Sequence, residues 1–234
     1  MLQKGSNVII GNNVSFGENV VIGNNVVIYE GTIIGNNVII QDNAVVGKQP
    51  TRAKASILPE VEKLPPTEIG SGVTISTSAI IYANAKIADD VFVADLATIR
   101  ERVTIGEKTI IGRGVAVEND CAVGSFCKLE TNCYITAYSE LEDYVFIAPC
   151  VVTTNDNYMA RDKERFDKFK GVTVKKGGRI GANSTILPGK IINEEGAVAA
   201  GSLVSKDVER ENLVMGSPAK KYKPVDESQL LKNQ

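Results

Sequence analysis

Between Lys128 and Asn157 the chain gathers the side chains best suited to chemistry: Glu130, Asn132, Tyr138, Asn155, Asp156 and Asn157. Acids and amides in such numbers can orient a polar ligand, but the partner that most enzymes would set beside them is missing. The 234 residues contain no histidine. That excludes an imidazole base or an imidazole metal ligand from this chain's own residues. A serine hydrolase would need a base for its nucleophile, and none is evident. Four cysteines occur without a C-x-x-C pair, which disfavours zinc, and the expectation for metal is none. There is no G-x-x-x-x-G-K-[ST] loop and no convincing dinucleotide fingerprint. The net charge of −2 argues against a nucleic-acid binder. The N-terminal MLQKGSNVII lacks the apolar core of a signal peptide and no long apolar stretch follows, so the expectation is a cytoplasmic protein without a membrane segment.

The elements that must position these residues come from a repeat. Read in sixes from Ile10, the chain leads each six with an apolar residue: Ile10, Phe16, Ile22, Ile28, Ile34, Ile40 and Val46, then Ile69 through Ile147, then Val174 through Val204. All twenty-seven lead positions are apolar. Fifth positions are small or β-branched (Val14, Val20, Ala79, Ala85, Val103, Thr109), and Gly, Asn or Asp often falls between. Gly and Asn tolerate left-handed backbone angles and suit a corner every six residues. A period of six drifts off any 3.6-residue face, so helix is excluded and a β-solenoid is expected. Cys121, Cys127 and Cys133 all take the fifth position and read as small core fillers, whereas Cys150 is off register.

Two interruptions stand out. One follows Val46 and fills 47–68 with proline and charge, where Lys48, Gln49 and Arg52 are candidates for holding a ligand. The other follows Ile147 and centres on 154–173; from Arg161 to Arg179 it carries eight basic and three acidic residues. It reads either as a solvated loop or as an arm offering Arg161 and its neighbours to a phosphate-bearing ligand. The expected organisation is a solenoid over 1–208 and a loop and polar tail over 209–234, the tail with the composition of a short helix.

The run [IVL]-G-x-x-[VAT]-x resembles the hexapeptide-repeat transferases. Their fold, a left-handed parallel β-helix with three sixes per coil, implies an all-β chain of about nine coils here. At eighteen residues per coil, Glu130 stacks below Ala148 and Asn132 below Cys150, under the coil expected to launch the second interruption. K-[IL]-x-x-N-x-x-[IV], then E-D-x-V-F-[IV]-x-P and Thr154-Asn155-Asp156, resembles the N-acetyltransferases of nucleotide-linked amino sugars. The resemblance implies transfer of an acetyl or other short acyl group from acyl-coenzyme A, the cosubstrate, to the amino group of a dTDP- or UDP-sugar. A neutral amine attacks a thioester without an imidazole base, and the coenzyme thiolate can take the proton. In that scheme Glu130 or Asp156 orients the amine, Asn132 and Asn155 hold the sugar, and Tyr138, Asn157 and Arg161 complete the acceptor site. One departure is that Tyr158-Met159-Ala160-Arg161 stands where the family commonly has Pro-Arg.

Gly216-Ser217-Pro218-Ala219-Lys220 looks like the G-x-P-A-K loop that lies beside coenzyme A in that family. Ala182, Ala200 and Gly201 would let the pantetheine arm approach backbone amides, and Lys206, Lys220 and Lys221 would meet its phosphates. Other readings stay open: Asn132 equally fills a corner, Tyr138 a subunit seam, and the lysines a solvated surface. The resemblance also implies a homotrimer with sites between subunits. An O-acetyltransferase acting on a sugar or small alcohol, and a non-catalytic scaffold, remain the alternatives.

Overall fold

The structure, a computed structural model, describes residues 2–54, 62–161 and 163–233. Strands of two residues recur every six, and each pairs in parallel with the strand one coil away. They assemble into three sheets, here faces A, B and C, with twelve, ten and nine strands among the described residues. The chain visits A, B and C in turn, from Gln3–Lys4 to Ile9–Ile10 to Ser15–Phe16, and returns to A at Val21–Ile22. Such a pattern is a three-sided parallel β-helix of about eleven turns.

Lead residues point inward and stack into the core. Ile28, Ile81, Ile99, Ile111, Leu129 and Ile147 are among the largest fully buried side chains. Fifth-position residues fill the space at each corner: Ala79, Ala85, Val103 and the three cysteines Cys121, Cys127 and Cys133 are buried. Removing those thiols from water pushes Cys121 and Cys133 up to about 12 and Cys127 up to about 11. They are inert core fillers, as their spacing implies. The third residue after each lead turns the corner in the left-handed region, and six of the first seven such positions are Asn (Asn7, Asn13, Asn19, Asn25, Asn37, Asn43). Stacked amides bond along the edge, as in Asn7 to Asn25 and Asn25 to Asn43.

The helix is longer than nine coils because four of its lead positions escape the apolar rule or its spacing. Lys4 opens face A at the exposed end, where an apolar lead gains little. Val208 and Val214 extend the far end, joining Ile192 and the strand Ala197–Val198. The strand Asn212–Gly216 then folds back in a hairpin with Ala219–Pro224, and the tail ends in two short 3-10 turns.

Thr153 is the fourth, and it corrects the edge of the prism from which the second interruption departs. Its strand, Val152–Thr153, continues face B, so the chain completes one more side of the coil after Ile147. Elsewhere on this edge, the residue after a lead donates its N–H to the next lead's carbonyl, as Glu118 does to Ile135. At Thr136 the acceptor is instead Thr153 Oγ1 (2.8 Å), and that hydroxyl donates to the Tyr134 carbonyl (3.0 Å). Thr153 is polar because its side chain replaces a ladder bond where the strand leaves register.

Candidate functional site

Both interruptions leave face B and re-enter on face C, at Ile69 and Val174. They therefore share one edge of the prism, the B–C edge. Five coils bring three columns of corner residues together there, each column spaced by eighteen. The first is Tyr82, Arg100, Glu118, Thr136, Thr154; the second is Ala83, Glu101, Asn119, Ala137, Asn155; the third is Asn84, Arg102, Asp120, Tyr138, Asp156. The first four of the third column are held at positive φ, Tyr138 at 66°.

Between the two interruptions lies a groove of about 480 Å³ lined by Arg52, Arg100, Glu101, Glu118, Tyr134, Tyr138, Asn155, Asp156 and Phe169, among others. Its charges are mostly paired. Arg100 grips the buried Glu101 with two bonds (2.8 and 3.1 Å), reaches Glu118 at 3.5 Å, and lies over the Tyr82 ring. Arg102 holds Asp120 with two bonds (2.6 and 2.8 Å), and Asn119 donates to the same carboxylate. Burial would raise Asp120, but the Arg102 and Asn119 bonds outweigh it and hold the carboxyl below its ordinary range. Glu118 goes the other way: burial raises it, Arg100 only partly opposes, and the Glu101 charge adds to the rise. Burial likewise pushes the Tyr134 phenol up.

Asp156 organises the second interruption. Its carboxylate accepts the N–H groups of Tyr158 (2.8 Å) and Ala160 (3.1 Å) and pairs with Arg165 (2.7 Å). Desolvation opposes ionisation here, but those three donors prevail and lower its pKa. Arg165 lies over the rings of Phe166 and Phe169, which carries the loop back towards the groove. Lys170 closes it: its N–H donates to the Asn155 carbonyl, and its own carbonyl accepts from Gly189.

Further along the same edge, beyond the loop, a pocket of about 340 Å³ is lined by Lys206, Val208, Asn212, Pro218, Lys220 and Lys221, among others. Ser205 to Glu209 form its edge wall and the terminal hairpin the other. Lys221 pairs loosely with Glu209 at 3.4 Å. Two face B rungs separate Thr153 from Val204, so the loop and this pocket are about 10 Å apart along the axis at ~4.8 Å per rung.

The expected residues divide between two edges. Tyr138, Asn155 and Asp156 meet in the groove, and Lys206, Pro218, Lys220 and Lys221 meet in the pocket. Asn157 and Arg161 are exposed on the loop and do not line the groove; the Arg161 N–H bonds the Tyr158 carbonyl. Glu130, Asn132, Ala182, Ala200 and Gly201 follow face A strands and so stand on the A–B edge, one side of the prism away, as does the exposed Cys150. Of the first-interruption candidates, Arg52 reaches the groove, Gln49 is engaged with the Leu64 backbone, and Lys48 lies over Tyr82. The charged column around Arg100, Glu101, Arg102 and Glu118 was not anticipated. Its signal was available: Arg-Glu-Arg occupies a corner that other coils spell with Gly, Asn or Asp.

No helix among the described residues is long and apolar enough to cross a membrane. A family model described as bacterial transferase hexapeptide (six repeats) matches residues 13–48. The dTDP-3-amino-3,6-dideoxy-alpha-D-galactopyranose 3-N-acetyltransferase of Aneurinibacillus thermoaerophilus is 46% identical over 54 residues, which are 23% of this chain and 28% of that protein. LpxA of Acinetobacter baumannii superposes with a TM-score of 0.66 at 16% identity, over 92% of this chain and 71% of that one. The Arabidopsis UDP-N-acetylglucosamine acyltransferase superposes with a TM-score of 0.55 at 16% identity, over 93% and 72%. In repeat and in fold, this chain is similar to the hexapeptide-repeat acyltransferases.

Proposed function

We propose that the chain moves an acetyl or other short acyl group from acyl-coenzyme A to the amino group of a nucleotide-linked (dTDP or UDP) amino sugar in the cytoplasm. One observation carries the reading: a polar groove and a three-lysine pocket share one edge, on either side of the loop 154–173. The pocket suits the phosphates of the coenzyme, with Lys206, Lys220 and Lys221 as point charges and Pro218 as wall. The groove suits the acceptor, with Asn155 and Tyr138 against the sugar and Arg52 for the diphosphate. Asp156 shapes the loop between them. The short stretch of identity to a dTDP-amino-sugar N-acetyltransferase supports the acceptor class.

In this scheme the free amine attacks the thioester carbonyl carbon, forming the C–N bond while the π electrons move to oxygen. Collapse of that oxyanion breaks the C–S bond, and the thiolate takes the proton from nitrogen. Positioning of the two substrates supplies most of the rate enhancement. A homotrimer belongs to the same reading. It would set one subunit's A–B edge, with Glu130, Asn132, Ala182, Ala200 and Gly201, against its neighbour's B–C edge and so complete the site. Mass spectrometry of products from acetyl-coenzyme A and a panel of dTDP- and UDP-amino sugars tests the function. One added acetyl group, stable to mild base, is expected. An ester product, or none, refutes it.

A further inference from the structure

Three carboxylates line the groove, Glu101, Glu118 and Asp156, and Asp120 stands beside it on the same edge; all but Glu118 are saturated. Glu101 takes two bonds from Arg100, Asp120 takes two from Arg102 and one from Asn119, and Asp156 takes two backbone N–H groups and Arg165. Each of these forms a neutral pair with its arginine. Glu118 is the remainder: among the described residues its carboxylate has one hydrogen-bonding partner, Arg100 Nη1 at 3.5 Å, and that guanidinium is already matched by Glu101. The Glu118 charge is therefore left over in a half-buried wall. Above it the column continues with Thr136, beside Ala137, both short, so open groove faces the carboxylate. A cationic ligand group is what such a position takes.

We infer that Glu118 receives the acceptor's amino group as its ammonium and takes the proton that must leave before nitrogen attacks. This deepens the acyl-transfer reading and rests on it. The step balances: the N–H pair stays on nitrogen, the proton passes to a Glu118 oxygen, and the neutral amine then forms the C–N bond as above. The groups facing Glu118 are Arg100 and Glu101 from the coil below, Tyr134 and Thr136 from the coil above, and Arg52 of the first interruption, which lines the same groove. Burial and the Glu101 charge favour the protonated form of Glu118, which is the direction a proton acceptor near neutral pH needs.

The test compares wild type with Glu118→Gln, using acetyl-coenzyme A and the amino sugar identified by the product panel. Glu118→Gln is expected to lower kcat/KM for the acceptor by about 100-fold at pH 7, the scale of general-base catalysis. The deficit should shrink as pH rises towards the amine pKa, because free amine then forms without the carboxylate. Melting temperature should not fall below wild type and the KM for acetyl-coenzyme A should stay near it, which separates lost chemistry from lost fold. A Glu118→Gln enzyme within twofold of an active wild type, or one whose deficit is the same at every pH, overturns the inference while leaving the function standing. A wild-type protein that acylates no amine overturns the function, and this inference with it.

Discussion

Thr153 offers the sharpest test of how the loop is held. Replacing it by Val keeps the shape and removes the hydroxyl, which is not a neutral exchange in a core. Thr153 and Thr136 are both buried, so the Thr136 N–H would lose its 2.8 Å acceptor with no water to replace it. An orphaned buried donor costs about 1–3 kcal/mol, and burying the new methyl returns about 0.8 kcal/mol. The net expected loss is about 0.2–2 kcal/mol, read as the shift in urea midpoint at unchanged slope. Thr109 provides a matched control. Its hydroxyl donates to Gly124 (2.8 Å) and accepts from Cys127 (3.0 Å), equally buried, but it stands at the C–A edge, away from both pockets. Thr153→Val and Thr109→Val should therefore destabilise alike, whereas only Thr153→Val should slow acyl transfer, by about tenfold or more, because misplacing a substrate-positioning element is costly. Wild-type stability in Thr153→Val, or equal loss of turnover in Thr109→Val, would refute this account of the loop's exit.

Three further outcomes are expected. Replacing Lys220 and Lys221 together by Ala should raise the KM for acyl-coenzyme A several-fold and leave the acceptor KM unchanged in steady-state kinetics. Added salt should mimic the change in wild type, since exposed charges are screened. The lowered carboxyl of Asp120 contributes stability that is present above its ordinary value of 3.8 and lost as pH falls through the lower folded value. Glu118, raised from 4.5, has the opposite sign: its contribution is full below 4.5 and lost as pH rises through its folded value. Urea midpoints should therefore fall less steeply in acid for Asp120→Asn, and for Glu118→Gln they should come to exceed the wild-type values as pH climbs above 4.5. A thiol reagent at pH 7 should label Cys150 alone in the native protein, and all four cysteines after denaturation, because only Cys150 is exposed.

What the sequence made legible was the repeat, because an apolar residue every six positions is a requirement of the core itself. The same requirement explains its blind spot. Thr153 occupies a lead position without being apolar, since its hydroxyl performs the work of a ladder bond, and a rule built on hydrophobicity leaves its side of the coil uncounted. In a three-sided coil one side is a third of a turn, enough to move the loop to another edge. Stacking by eighteen correctly placed Glu130 beneath Ala148 and Asn132 beneath Cys150, yet that column runs along the A–B edge, while the loop leaves from the B–C edge. Vertical register is written in the spacing; the choice of edge hung on one threonine. The groove's charged wall was hidden for a related reason. The positions just after a lead carry no requirement to be apolar, so Arg100, Glu101 and Glu118 look like solvated surface until two coils are aligned and the arginine is found already spoken for. Charge left over after pairing, rather than charge present, is what marks Glu118, and no reading of one coil at a time could reveal it.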